Sequence, residues 1–295
     1  MTGQKQTLFR DVGLRTQTDI SAIPLKEILN GGPQKDGIPA LTNPAFVAVD
    51  QADFIADAAM GILLQERGEH KFYPYSILVW HEIANDYIGG TAVTVSFCPL
   101  CGSAMVFKRQ VGKQVHEFGV SGKLWQSNML MYDRATESLW SQIEGRAVVG
   151  ELTGQALSLF HAQVLSFGEA KRIASELQVL STDTGHLRDY HRYPYGDYDQ
   201  HDQLYFPIKH PDQRLPLKTL MIAATLGGQA FAFHREALIA AGKARLDTPA
   251  GPIEARVSAQ GEITLSDEKG EQLPSFVSMW FSWANHNQGP VWTGE

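Results

Sequence analysis

The chain has 295 residues, 43% of them hydrophobic and 19% charged, with a net charge of -7. That balance suits a soluble globular protein with a sizeable core and leaves no basic stripe for nucleic acid. No apolar run approaches the ~18 residues that a membrane span needs, and the polar start lacks the apolar core of a secretory signal. The expected location is therefore cytoplasmic, or periplasmic or extracellular if a leader has been removed. Two cysteines are too few for a disulfide-stapled scaffold and do not settle the compartment.

In chain order, residues 1–30 read as an arm, loose over 1–22 and ending in a short helix over 23–29 that Asn30-Gly31-Gly32-Pro33 stops. Residues 31–295 read as a single β-rich domain. A proline-punctuated extended segment covers 38–44 and a short strand 46–49. A turn or short helix over 53–60 precedes a hairpin, 61–65 with 70–75, around Gly68. The run 77–86 fits a helix or a buried strand equally. Strands are expected over 91–97, 104–109, 115–120, 128–132, 139–142 and 147–149. A helix over 168–176 and a strand over 178–181 lead into a polar, aromatic loop over 182–203 with no apolar period. Strands return over 219–225, 229–234, 253–257, 262–265 and 276–281, and a helical turn over 236–241 stops at Gly242. No internal repeat is visible. Strands outnumber helices without alternating with them, so the expected fold class is mainly β or α+β, built on antiparallel strands with a few short helices and long ordered loops.

The chemistry-bearing stretch is Ser96-Phe97-Cys98-Pro99-Leu100-Cys101-Gly102-Ser103. Pro99 cannot continue a central strand and Gly102 permits a tight turn, so both thiols belong at a strand's exit. Two thiols at this spacing can close on one metal ion or form a redox disulfide. No second C-x-x-C exists, so further ligands would be histidines or carboxylates. His81 is the best candidate, because its neighbours lead straight into the cysteine strand. Zinc and copper are the metals considered, copper(I) because Met105, Met129 and Met131 are soft donors, although core filling is the preferred account of Met105 and Met131. Buried cysteines packing a turn are as good an account as a metal site. A thioredoxin-like role is weaker, because such pairs start a helix whereas Gly102 leads into a strand. As a third chemistry, Cys98 would be a nucleophile with His81 as its base.

His81-Glu82 does not continue as H-E-x-x-H, so a zincin protease is excluded on spacing. Asp133-Arg134 reads as a turn or ion pair, or as an arginine fork for a carboxylate or phosphate. Ser121 to Asn128, with Trp125, turns or walls a pocket. Arg188-Asp189-Tyr190, on the long loop, reads as a lid or a structural plug. The nearby His186, His191 and His201 read as surface residues whose clustering hints weakly at metal, and His286 could approach a site.

The ordered set 38–44 (IPALTNP), 80–86 (WHEIAND), 97–104 (FCPLCGSA), 118–124 (FGVSGKL), 131–142 (MYDRATESLWSQ), 180–185 (LSTDTG), 188–190 (RDY) and 194–198 (PYGDY) resembles the prokaryotic domain-of-unknown-function family numbered 3179. The resemblance runs from about Ile38 to about Gln288. It brings no established reaction. Relatives often look exported or lipid-anchored, and some read C-P-L-T, which sets a chemistry needing both thiols apart from the family as a whole.

The sequence thus leads to a metal-binding protein using Cys98, Cys101 and His81 beside a polar pocket. Asp133, Arg134, Arg188, Asp189 and Tyr190 would bind an unknown small molecule there. The alternatives are a cysteine-dependent or thiol-redox enzyme, with Cys98 and His81 catalytic, and a ligand-binding module whose cysteines are structural.

Overall fold

The alternating, β-branched run before the first cysteine forms the strand its pattern requires, Thr91–Cys98. In the computed structural model, which describes residues 13–209 and 211–294, this strand turns at the knuckle and pairs antiparallel with Ser103–Lys108, Cys98 opposite Ser103. The two strands lie inside a nine-stranded sheet that continues through Ser275–Met279, Leu220–Leu226 and Gln229–His234. Two of its pairings are parallel, both involving two-residue strands: Leu41–Thr42 on Ile83–Ile88, and Val291–Trp292 on Gln229–His234. Separate five-stranded sheets hold Phe118–Trp125 with Asn128–Asp133, and Met60–Glu66 with Glu69–Pro74. Four α-helices occur among the described residues, each seven residues long: α1 (Tyr75–His81), α2 (Phe167–Ile173), α3 (Arg235–Ala241) and α4 (Trp280–His286). The protein is a β-rich single domain.

The ambiguous run 77–86 contains both elements that its sequence allowed. It closes α1 and then becomes the strand Ile83–Ile88. Apolar residues Ile77, Leu78 and Val79 fix the helix by burial against a core that includes Ile62, Leu64, Val95 and Val106. Each such side chain contributes about 1.5–3 kcal/mol when taken out of water. Glu82 then leaves the helix with φ 58°, its N–H on Leu78 O at 2.6 Å, and redirects the chain into the sheet.

Other expectations change. The helix over 23–29 is instead a 3₁₀ turn, Leu25–Glu27, followed by a strand, Ile28–Asn30, that pairs with Phe118–Trp125. Open backbone donors along Phe118–Trp125 outweigh the weak helical spacing of so short a segment. The arm is anchored where described: Leu14 is buried, and the Arg15 and Thr16 side chains both bond Glu137. Residues 1–12 lie outside the described residues. The expected strand over 276–281 stops at Met279 and α4 begins at Trp280. The strand expected over 115–120 runs instead from Phe118 to Trp125.

An internal repeat is present after all. The order strand, strand, helix, strand, strand occurs first as Met60–Glu66, Glu69–Pro74, α1, Ile83–Ile88 and Thr91–Cys98. It returns as Leu220–Leu226, Gln229–His234, α3, Lys243–Thr248 and Gly251–Val257, each of its first four elements 160 residues on. The positive-φ turn residues repeat too: Arg67 and Gly68 (φ 50° and 82°) match Gly227 and Gly228 (φ 59° and 79°). The two copies share so few side chains, among them Ile62/Ile222, Leu78/Leu238 and Ala84/Ala244, that sequence alone conceals the repeat. They also place different hairpins in the large sheet, the second hairpin of the first copy and the first hairpin of the second. Only the first copy carries cysteines, His81 and Glu82.

Candidate functional site

The knuckle is a tight turn whose Cys101 N–H bonds Cys98 O at 3.1 Å, with Gly102 at φ 55°. A side chain at Gly102 would need the left-handed backbone and would place Cβ 2.8 Å from Met279 Cγ. Cys98 and Cys101 are joined as a disulfide and both are buried. The Cys101 sulfur also lies 3.1 Å from Ser127 O. Beneath the knuckle, Gln142 ties three strands together. Its Oε1 accepts from Ser103 Oγ (2.6 Å) and Asn128 Nδ2 (3.2 Å), while its Nε2 donates to Ser96 Oγ (3.1 Å). Gln142 is fully buried, so these bonds are what makes it tolerable there.

Beside the knuckle is a cavity of about 370 Å³. Its floor and walls are mostly apolar: Met60, Val79, Phe97, Pro99, Leu220, Val277 and Met279. Tyr75 enters stacked on Phe97, ring centroids 4.0 Å apart. Tyr190 and Tyr193 reach it from the long loop, and Arg235 from α3. The polar pocket expected from sequence is thus an apolar cavity with a few polar groups. Met60 with Leu220 and Tyr75 with Arg235 are equivalent pairs, so the cavity forms where the two copies of the repeat meet.

The long loop is held down by two consecutive titratable residues at the end of α1. His81 is buried, its Nδ1–H donating to Pro39 O at 2.7 Å. Its Nε2 therefore accepts from Tyr190 Oη (2.7 Å), which in turn accepts from Thr184 Oγ1 (2.5 Å). Burial pushes the His81 imidazole down to about 4, so it is neutral at pH 7. The Glu82 carboxylate accepts from Tyr195 Oη at 3.1 Å, and burial pushes its carboxyl up to about 7. Tyr198 Oη reaches back to the knuckle, donating to Leu100 O at 2.7 Å.

The residues singled out from sequence separate into three places. Cys98 and Cys101 form the cavity's rim through Pro99 and Gly102, and Tyr190 lines it, whereas the ring nitrogens of His81 face Pro39 and Tyr190. Arg188 and Asp189 lie on the exposed loop surface: Arg188 donates to Leu187 O, and Asp189 accepts from His191 N. Asp133 and Arg134 sit at the end of a strand in another sheet. Asp133 is fully buried and accepts from Thr136 N (2.7 Å) and Trp140 Nε1 (3.0 Å), while Arg134 pairs with Glu117 at 2.9 Å. Met105, Met129 and Met131 are buried in the apolar core. His186 and His191 are exposed, and His286 contacts Glu144 and Trp125. No group of three or more His, Cys, Asp or Glu is placed to hold a metal among the described residues. No helix among them is long and apolar enough to cross a membrane.

Tyr75, Ser76 and Arg235 were missed by sequence reading. Their signal lay in Pro74-Tyr75 and His234-Arg235, two strand-to-helix junctions in equivalent positions, legible only once the repeat is known. No curated protein and no solved structure matches the chain. The family model described as "Protein of unknown function (DUF3179)" matches residues 35–271, somewhat short of the Gln288 to which the motifs extend, and the chain belongs to that family.

Proposed function

We propose that the protein is a binding module for a small, largely apolar molecule, held in the cavity beside the Cys98–Cys101 knuckle. The observation that carries this reading is the cavity itself. At about 370 Å³ it is large enough for a small ligand, and apolar walls surround a few convergent polar groups. The disulfide keeps the Pro99–Gly102 wall in shape, and the Tyr190–Tyr198 segment roofs it. Calorimetric titration with 1-octanol and octanoate tests the reading. At least one should bind the native protein, and Ser76→Phe, which fills the cavity from α1, should abolish binding while the protein stays folded. Failure of both ligands, or binding indifferent to Ser76→Phe, would overturn it.

A second reading, thiol–disulfide exchange at the same pair, is favoured by the Cys101–Ser127 contact. A thiol can donate to that carbonyl, so the reduced form has a ready partner. An external dithiol would supply two electrons and two protons, becoming a disulfide as Cys98 and Cys101 become thiols. Equilibration in dithiothreitol buffers, followed by thiol titration, should give a two-electron transition. A pair that stays oxidised until the protein unfolds would rule this reading out. Capture of zinc or copper by Cys98, Cys101 and His81 belongs to the reduced form, because a disulfide offers no thiolate. Metal content before and after reduction, in native protein and Cys98→Ser, tests that capture.

A further inference from the structure

We propose that the cavity selects an anionic amphiphile, a molecule with an apolar body and a carboxylate head, through the Arg235 guanidinium assisted by the Tyr75 hydroxyl. The inference rests on the reading of the cavity as a ligand site and adds the ligand's charge.

Arg235 opens α3 and Tyr75 opens α1, so the repeat places both at the same structural position, and both line the cavity. Arg235 is half-buried. Its Nη2 donates to Val164 O at 3.1 Å, which ties the second copy of the repeat to the sheet of the first. Its Nε is buried and has no hydrogen-bond partner among the described residues. Among the described residues no carboxylate stands within 4.0 Å of it. A guanidinium carries five N–H donors and no acceptor, and it keeps its charge at any working pH. At an apolar wall, with no counter-ion among the described residues, its charge is uncompensated, and the group that would compensate it from the cavity is an anion.

Tyr75 supplies the second donor. Its ring is fixed by stacking on Phe97, and its Oη has no hydrogen-bond partner among the described residues. The positive charge of Arg235 acts on this phenol and opposes the upward push of burial. The other charged residues lining the cavity, Arg192, Asp199 and His191, are all exposed on the loop at its rim. The inner wall therefore offers donors from Tyr75 and Arg235, with aromatic and aliphatic surface around them. A planar carboxylate fits that pair, and a linear or aromatic apolar body fits the rest.

Calorimetric titration at pH 7 with octanoate and with 1-octanol, which share a chain and differ in the head, separates the inference from the reading beneath it. The native protein should prefer octanoate by about tenfold or more, the scale of one charge-assisted hydrogen bond. Arg235→Gln should remove the preference by weakening octanoate alone. Arg235→Lys keeps the charge without the planar fork and should retain only part of the preference; it decides the matter if the glutamine variant does not fold. Equal binding of the two ligands, or a preference that survives in the folded variant, would overturn the charge selection and leave the cavity reading standing. Binding of neither would overturn both.

Discussion

Glu82 and Gly242 occupy the same position in the two copies of the repeat, both with positive φ (58° and 72°) and both closing a helix through an N–H to the equivalent leucine, Leu78 or Leu238. Glycine adopts this backbone without steric cost, whereas a residue with a Cβ is strained by about 1–2 kcal/mol. The first copy retains a side chain at the strained position, and that side chain is a buried carboxyl bonded to Tyr195 of the long loop. The strain and the burial of Glu82 fall on a residue that helps tie the end of α1 to that loop, beside His81 on Tyr190 and Trp80 on Arg192 O.

Comparing two truncations isolates the backbone part. Glu82→Ala and Glu82→Gly both delete the carboxyl and its bond to Tyr195, and only alanine keeps a Cβ at φ 58°. The glycine variant should be more stable than the alanine variant by about 1 kcal/mol in urea denaturation. Equal stabilities would mean that Glu82 relaxes out of the left-handed region in solution.

The pH dependence follows from two shifts of opposite sign. Glu82 has a folded value of about 7 against 4.5, so between those values the folded state holds more protons and stability falls as pH rises. His81 has a folded value of about 4 against 6.5, so the unfolded state holds more protons there and stability rises with pH. In the native protein the two slopes oppose each other. Glu82→Gln should leave the His81 slope, with stability climbing from pH 4 to 6.5 more steeply than in the native protein. An unchanged profile in Glu82→Gln would show that this carboxyl titrates near its ordinary value.

Much of the fold could be read from the chain because its signals are local. Period-two runs such as Thr91–Cys98 and Leu220–Leu226, and the Pro99–Gly102 punctuation, determine strands and a turn without help from distant residues. The errors lie where a neighbour decides. Ile28–Asn30 is a strand because Phe118–Trp125 offers it open backbone groups, and Trp280 starts a helix because Met279 ends the sheet contact. The site was half legible. The knuckle and Tyr190 carry recognisable residue types, but Arg235 lies 134 residues beyond Cys101 and meets the cavity only through a repeat whose side chains have diverged.

Tyr190 joins the loop to the helix end. Tyr190→Phe would leave His81 Nε2 without its donor in a buried place, at a cost of about 1–3 kcal/mol. Chemical denaturation should show that loss. Proteolysis should also become faster at Leu187–Arg188, since Leu187 is 98% exposed and only loop closure limits the opening of the segment. Native stability in the phenylalanine variant would mean that water replaces the hydroxyl.

Asp133 provides a contrast, a carboxylate that suggests a site from sequence yet sits in a closed network. Its oxygens accept from Thr136 N and Oγ1 and from Trp140 Nε1, with His116 Nδ1 at 3.6 Å. Asp133→Asn replaces an acceptor oxygen with a donor facing those donors, so stability should drop by about 2 kcal/mol or more. Octanoate affinity in the folded fraction should not move. A loss of affinity at unchanged stability would instead place Asp133 in the binding machinery.

The disulfide closes a very short loop, so the chain-entropy account gives it only about 2 kcal/mol of stability. Its larger effect should be on the cavity, because Pro99 and Gly102 form part of the wall and Tyr198 hangs from Leu100 O between the two cysteines. In Cys98→Ser/Cys101→Ser the denaturation midpoint should fall modestly while octanoate affinity falls several-fold, since the wall and the loop above it lose a common anchor. If stability falls and affinity stays, the turn's own hydrogen bonds, Cys101 N to Cys98 O and Gly102 N to Pro99 O, suffice to shape the wall. The pair would then be free for the redox chemistry of the second reading.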